Sequence, residues 1–249
     1  MSYRKKLIEV ALPLEAINDA SAREKDNPFW KDHPRRIHVW WARRPHVTCR
    51  AVIFASLVDD PENPHAPKEF VAACGRLPKG RNSIEIDTPR QRLFDFIEKL
   101  VDWKNTHDRE VLMTASRLIR LSNDALPSIM DPFAGGASIP LEALRLGLNT
   151  FSNDLNPVAV LINKALLEIP LLFKDNYPVN SDSRASQSMQ VWKGYQGIAD
   201  DLRHYSTIIH QETYNKIGGL YPKGPNNEKI VAWIWARTVK RHGSFWANN

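Results

Sequence analysis

The sequence is poor in cysteine, with two in 249 residues, Cys49 and Cys74, and neither belongs to a C-x-x-C pair. A disulfide framework and a zinc site of paired cysteines are therefore both excluded from the expectation, and two reduced thiols in a cytoplasmic protein are the simplest reading. No run of about 18 apolar residues occurs, so the sequence predicts no transmembrane helix. Met1–Val10 carries basic residues but no long apolar stretch followed by small residues, which argues against a secretory leader. Long repeats and low-complexity tracts are missing. The spacing G-x-G-x-x-G is missing too, which counts against a nicotinamide-dependent dehydrogenase.

What is present suits one sizeable core, or a core with a small appendage: 43% of residues are hydrophobic and 25% charged. The net charge is +6, and the basic excess is uneven. Lys31 to Arg50 holds six Lys or Arg against one Asp, with His33, His38 and His46 among them. Such a cluster suits a polyanion such as DNA, and a plain solvated basic face reads equally well on charge alone.

Helical signals run through the first half. Leu14 to Lys25 reads as a helix that stops before Asn27-Pro28. Pro45 stands where a helix can start, and Val47, Ala51, Phe54 and Val58 follow at near-helical spacing. Asp59 to Pro67 holds three prolines and reads as a linker. Residues 68–87 carry no assignable period. Thr88-Pro89 looks like an N-cap and first helical residue ahead of the stripe Leu93, Phe94, Ile97, Leu100 and Val101. A further helix is expected over Arg109 to Leu121.

The pattern then changes. Ser128 to Met130 is a short strand candidate ending at Asp131, and Ile139 to Leu146 a helix stopped by Gly147. Asn149 to Ser152 is a second strand candidate, and Asn156-Pro157 opens a helix that ends before Pro170. Strand, glycine turn, helix, strand, helix is the opening of a doubly wound α/β sheet. Further on, a helix is plausible from about Gln190 to Lys216, and Val231 to Val239 could be a strand. The expected organisation is an N-terminal unit over 1–61, a helical insertion over 62–125, a βαβα unit over 126–173 and a helical extension over 174–249.

The segment Asp131-Pro132-Phe133-Ala134-Gly135-Gly136 carries the chemistry. A glycine turn leaving a strand lets backbone approach a ligand, because no Cβ stands in the way. The helix behind it adds the positive end of its dipole. An acid at the strand end can receive an ammonium group, directly or through water. Asp154 lies 23 positions after Asp131, the distance at which a second-strand acid can bind both hydroxyls of a ribose. Its structural alternative is an N-cap for the helix near Asn156.

The stretch DPFAGGASIPLEALRLGLNTFSNDLNPVAVLINKALLEIP resembles the cofactor motif region of adenine-specific DNA methylases. It is most similar to the large prokaryotic members that contain a zinc ribbon. Their N-terminal domain of unknown function is similar to LIEVALPLEAINDASAREK and HVWWARRPHVTCRAVIFASLVDDP here. The resemblance covers residues 7–61 and 129–170 and, less closely, Val231 to Lys240.

The resemblance implies a class I S-adenosylmethionine-dependent methyltransferase fold, here a partial Rossmann-like sheet behind N-terminal helical segments. It implies S-adenosyl-L-methionine at Asp131, Pro132, Phe133, Gly135, Gly136, Asp154, Asn156 and Pro157. The segment His38 to Pro45 resembles the motif that borders the methionine end of the cofactor, at Arg43, Arg44 and Pro45. Guanidinium groups suit that place because they bind carboxylates bidentately. A competing reading has Arg43 and Arg44 on phosphates instead, with the tryptophans stacked on bases; Arg35, Arg36, Trp40, Trp41 and Arg50 are the nucleic-acid-binding candidates. A third has a buried tryptophan pair beside surface arginines. DNA is the implied partner, in a restriction-modification or phage-defence setting.

Three departures qualify that likeness. Ala137 stands where related motifs have a third glycine. The sequence contains no Asn-Pro-Pro-Tyr or Asp-Pro-Pro-Tyr segment, which in the family receives the target amine; Asn27-Pro28-Phe29-Trp30 echoes it without the second proline. After Trp235-Ala236-Arg237-Thr238-Val239 no cysteine-rich ribbon follows. The expectation is a fragment that supplies the cofactor side, completed by a separate chain carrying the catalytic loop and ribbon. An inactive DNA-binding or subunit-docking module is the alternative.

Overall fold

A computed structural model describes residues 3–26, 33–185, 191–228 and 230. The chain divides into two units, residues 1–173 and 174–249. The strand candidate Val231 to Val239 and the Asn27–Trp30 echo lie outside the described residues.

Among the described residues of the first unit five α-helices precede the sheet: α1 (Leu14–Asp26), α2 (His46–Leu57), α3 (Lys68–Cys74), α4 (Pro89–Val101) and α5 (Arg109–Ser122). Helix α2 is the central one and packs on α1, α4, α5 and the helix at Ser138–Arg145. Its sequence is largely apolar, and Val47, Ala51, Phe54 and Ala55 are buried. Helix α4 begins where the Thr88 hydroxyl accepts the Gln91 N–H and Pro89 takes the first turn. Its stripe of Leu93, Phe94, Ile97 and Leu100 joins Phe54 and Val58 in one core, to which α5 adds Val111, Leu118 and Ile119. The helices of residues 62–125, expected as an insertion or a helical side wall, share their core with the N-terminal helices. The unassigned stretch 68–87 contains α3, too short to show a helical period, and a 3₁₀ turn at Arg81–Ser83.

Strands β1 (Ser128–Asp131) and β2 (Asn149–Ser152) pair in parallel, with Ser128 opposite Asn149 and Asp131 opposite Ser152. Helix α6 (Ser138–Arg145) connects them and ends at Gly147, whose φ of +80° permits the left-handed turn. Helix α7 (Pro157–Asn163) follows β2. The first unit is mixed α/β, mostly helical, with one two-stranded parallel sheet among the described residues. Ile129 packs on the core, whereas Met130 and Phe151, cross-strand partners, are exposed on the other face.

One boundary is corrected. The helix begun at Pro157 does not stop before Pro170: it widens into a π turn over Lys164–Glu168 and resumes as α8 (Ile169–Leu172). Proline lacks the N–H for a bond to the Leu166 carbonyl and its ring crowds that carbonyl, so a wider turn lets the chain continue.

The second unit holds α9 (Ser181–Ala185) and the long α10 (Gln196–Ile217), followed by a 3₁₀ turn at Gly218–Leu220. The Asp201 carboxylate accepts the N–H groups of Val179 and Asn180 at 2.9 Å, tying the loop before α9 to α10. No helix among the described residues is long and apolar enough to cross a membrane.

Candidate functional site

The loop from β1 to α6 is a tight turn built on two positive-φ residues. Pro132 and Phe133 are exposed, Phe133 to 85%, and Ala134 to Ala137 are buried. Gly135 has φ +48° and Ala137 φ +63°, with Ala137 serving as the N-cap of α6. Ala137 is therefore left-handed, and it bears the strain of its Cβ.

The turn is held from several sides. Asn153 N–H donates to the Asp131 carbonyl and Ala134 N–H to the Asn153 carbonyl, both at 2.9 Å, continuing the ladder past the strands. Asp131, buried, accepts the Phe133 N–H at 3.1 Å. Gly135 donates its N–H to Asp154 Oδ2 at 2.8 Å, and its carbonyl accepts from Asn163 Nδ2 at 2.9 Å. Asn163 comes from α7 and was not singled out in the sequence, because a polar residue in an apolar helix gives no hint of which loop it meets.

Asp154 bridges the two strand-end loops. Its other oxygen accepts the Asn156 N–H at 2.9 Å. These backbone donors, Asn156 first and then Gly135, hold its carboxyl below the ordinary carboxylate range. The N-cap of α7 is Asn156, whose side chain accepts the Val158 N–H at 2.9 Å, with Pro157 behind it. The helix-cap alternative for Asp154 therefore falls to Asn156. Beside Asp154, Leu155 is 99% exposed, an apolar side chain at the site's edge that sequence reading passed over.

The segment His38 to Pro45 folds onto this turn. A Cβ at Gly135 would stand 2.5 Å from Trp40 Nε1, and one at Gly136 would stand 2.9 Å from Trp40 Cβ and 3.6 Å from Arg43 Nε. Glycine is thus required at both positions by the packing of Trp40. Arg43 Nη2 donates to the His38 carbonyl at 2.6 Å. Its Nε and Nη1 are buried with no hydrogen-bond partner among the described residues. Burial first, and then the charge of Arg35, lower the pKa of Arg43 against the opposing pull of Glu24. A guanidinium so placed fits an incoming carboxylate.

The remaining basic residues separate. Arg36, Arg44 and Trp41 are exposed, Trp41 to 95%, and Arg35 is half-buried. Pro45 is the N-cap of α2. The reading of a buried tryptophan pair is corrected: Trp40 lies half-buried on the glycine turn and Trp41 points to solvent. Arg50 is corrected too. It is fully buried, with Nε donating to Glu142 Oε2 at 2.6 Å, Nη1 to the Leu100 carbonyl at 2.9 Å and Nη2 to Thr106 at 3.1 Å. All of its donor-bearing nitrogens are engaged in the core, so no phosphate reaches it.

Glu24, His33 and His46 form a buried group close enough to suggest metal ligation. Its chemistry is structural. His33 Nδ1 accepts the Arg35 N–H at 3.1 Å, so Nε2 carries the proton and donates to Glu24 at 2.9 Å. Glu24 in turn accepts the N–H groups of His46 and Val47 at 2.8 and 3.0 Å, satisfying the first turn of α2. The His33 ring keeps no lone pair for a cation.

Residues 11–76 match the model of a family described as "Protein of unknown function (DUF1156)". The matched stretch contains α1, the Trp40–Arg43 segment, α2 and α3, and stops short of the glycine turn. No curated protein and no solved structure matches the chain.

Proposed function

We propose that the Gly135–Gly136 turn binds S-adenosyl-L-methionine and that the chain is the cofactor-binding part of a DNA adenine-N6 methyltransferase of a restriction-modification or phage-defence system. The observation that carries the reading is Arg43: two buried donors without partners among the described residues, beside the glycine turn. Asp131 at the strand end and Asp154 at the next one complete a set of the right chemistry, and strand–turn–helix–strand order agrees with a Rossmann-like start.

In this reading Arg43 takes the carboxylate of the methionine part and Asp131 its ammonium. Asp154 uses the lone pairs left by Gly135 and Asn156 for the ribose hydroxyls. Asn163 keeps the Gly135 carbonyl fixed, so the turn is preorganised. The bound ligand supplies an electrophilic methyl group, and the chain's residues orient it. Arg36, Arg44 and Trp41 are exposed and offer phosphate and base contacts.

The adenine-handling loop is absent from the sequence, so catalysis requires a second chain or segment. The exposed pair Met130 and Phe151 supports this, since a doubly wound sheet is covered on both faces. The same pair gives the alternative, an inactive docking module, its support. Titration calorimetry with S-adenosylmethionine separates the two. Saturable binding, weakened by Asp154→Ala, is expected; no binding by a chain that still binds DNA in a salt-sensitive manner overturns the cofactor reading.

A further inference from the structure

A cavity of about 450 Å³ lies among α3, α4, α5 and the segment that follows α3. Leu77, Phe96, Val111 and Leu118 line it and are buried members of the core. Arg76, Lys99 and Arg117 line it and are exposed. The cavity thus has an apolar floor and a cationic rim. The three cations converge from separate elements: Arg76 follows α3, Lys99 stands on α4 and Arg117 on α5. None of these side chains has a hydrogen bond or an ion pair among the described residues. The acids of the lining do not answer them. Asp95 turns its two oxygens to the N–H groups of Gly80, Asn82 and Ser83, at 2.8, 2.6 and 3.2 Å. A fourth cation of the lining, Lys79, is already paired with Asp87 at 2.5 Å. Glu110 is the one carboxylate left in the lining, against three unpaired cations.

We propose that this cavity is a second binding site, and that it takes a phosphate monoester with a flat, apolar body, of the class of a nucleoside monophosphate. Like charges around a cavity repel one another, and an anion that enters removes the repulsion. A phosphate monoester brings close to two negative charges and three acceptor oxygens, enough for two guanidinium groups and an ammonium. The forked donors of Arg76 and Arg117 match its oxygens, and Lys99 adds a point charge. A carboxylate, with one charge and two oxygens, would leave part of the rim unanswered. The apolar floor takes the body of the ligand, and the volume lies within the range of small-ligand sites. The same group occurs on a free nucleotide and at the 5′-phosphorylated end of a nucleic-acid strand. The proposal does not depend on the cofactor reading, since no residue of the glycine turn lines this cavity.

The test is calorimetry on the full chain with adenosine monophosphate, adenosine, and a short single strand with and without a 5′-phosphate. At least one of the two phosphorylated ligands is expected to bind, about 10-fold or more tighter than its counterpart without the phosphate. The tighter of the two identifies the source of the group. Arg76→Gln and Arg117→Gln should each weaken that ligand about 3- to 30-fold, with circular dichroism confirming the fold. Glu110→Gln removes the opposing carboxylate and should tighten it about 2- to 5-fold, a gain that a damaged fold does not produce. No binding of either phosphorylated ligand, or binding without preference for the phosphate, overturns the proposal. So does an affinity that neither arginine variant lowers or that Glu110→Gln fails to raise. The cofactor reading stands or falls separately, by the binding of S-adenosylmethionine.

Discussion

Arg50 Nε and Glu142 Oε2 meet at 2.6 Å although 92 residues separate them in the chain. Both side chains are fully buried, and the pair pins α2 to α6, the helix that leaves the glycine turn. Glu142 also accepts from His46 at 3.0 Å and from Arg145. A buried ion pair is not by itself stabilising, but removing one partner strands the other. Glu142→Gln leaves two arginines and a histidine facing an amide. It should cost about 3–5 kcal/mol, a fall in Tm of at least about 6 °C for a chain of this size. A smaller shift in a thermal melt would show that the network relaxes.

The same carboxyl sets a pH dependence. Burial alone would raise its pKa; the hydrogen bond from His46 and the charges of Arg50 and Arg145 outweigh burial and hold it down to about 2. A group depressed in the folded state contributes stability that is whole above its unfolded value, ordinarily 4.5, and is lost as pH falls through the folded one. Stability should therefore decline between pH 4.5 and about 2, and Glu142→Gln should lack that part of the decline. Melting curves across this range check it.

Arg43 should be felt by one end of the ligand only. Arg43→Met is expected to weaken S-adenosylmethionine about 10- to 100-fold, the loss of a charge-assisted bidentate contact. It should leave a decarboxylated analogue almost unaffected. Equal losses for both ligands would place Arg43 elsewhere.

In the proposed reading of a DNA-binding chain, exposed and buried arginines should differ in the salt dependence of that binding. Arg36→Ala and Arg44→Ala are each expected to lower the slope of log K against log salt by about one. Arg50→Met should leave that slope unchanged and lower the melting temperature instead, because its side chain lies in the core. A reduced slope in Arg50→Met would contradict the burial.

Both thiols should be inert in the native chain. Burial, the larger cause at each, pushes Cys49 and Cys74 up to about 12, and at Cys49 the carboxylates of Glu142 and Glu24 add to it. A thiol reagent at mildly alkaline pH should label neither until denaturant is added. Rapid labelling of the folded chain would disprove their enclosure.

Much of the fold was legible because its signals are local. Thr88-Pro89, Gly147 and Asn156-Pro157 each mark a helix end through a cap or a backbone angle that depends on one or two residues. The strands at 128 and 149 were readable for the same reason. Pro170 misled, since a proline predicts a stop and the chain answered with a π turn. Helix α3 was missed because seven residues carry too little periodicity.

Within the site, the sequence alone determined that Asp131, two glycines and Asp154 stand at the ends of successive strands, since strand–turn–helix order places them there. It could not say what the two tryptophans or the arginines do. Side chains one residue apart, Trp40 and Trp41, go to opposite fates: Trp40 packs on the glycine turn, whereas Trp41 stands in the adjoining turn and faces solvent. Arg50 and Glu142 find each other only when α2 and α6 pack. Charge and aromaticity are written in the composition, but which charge is enclosed and which ring lies on the glycines is decided by contacts between distant segments, and those exist only in the folded chain.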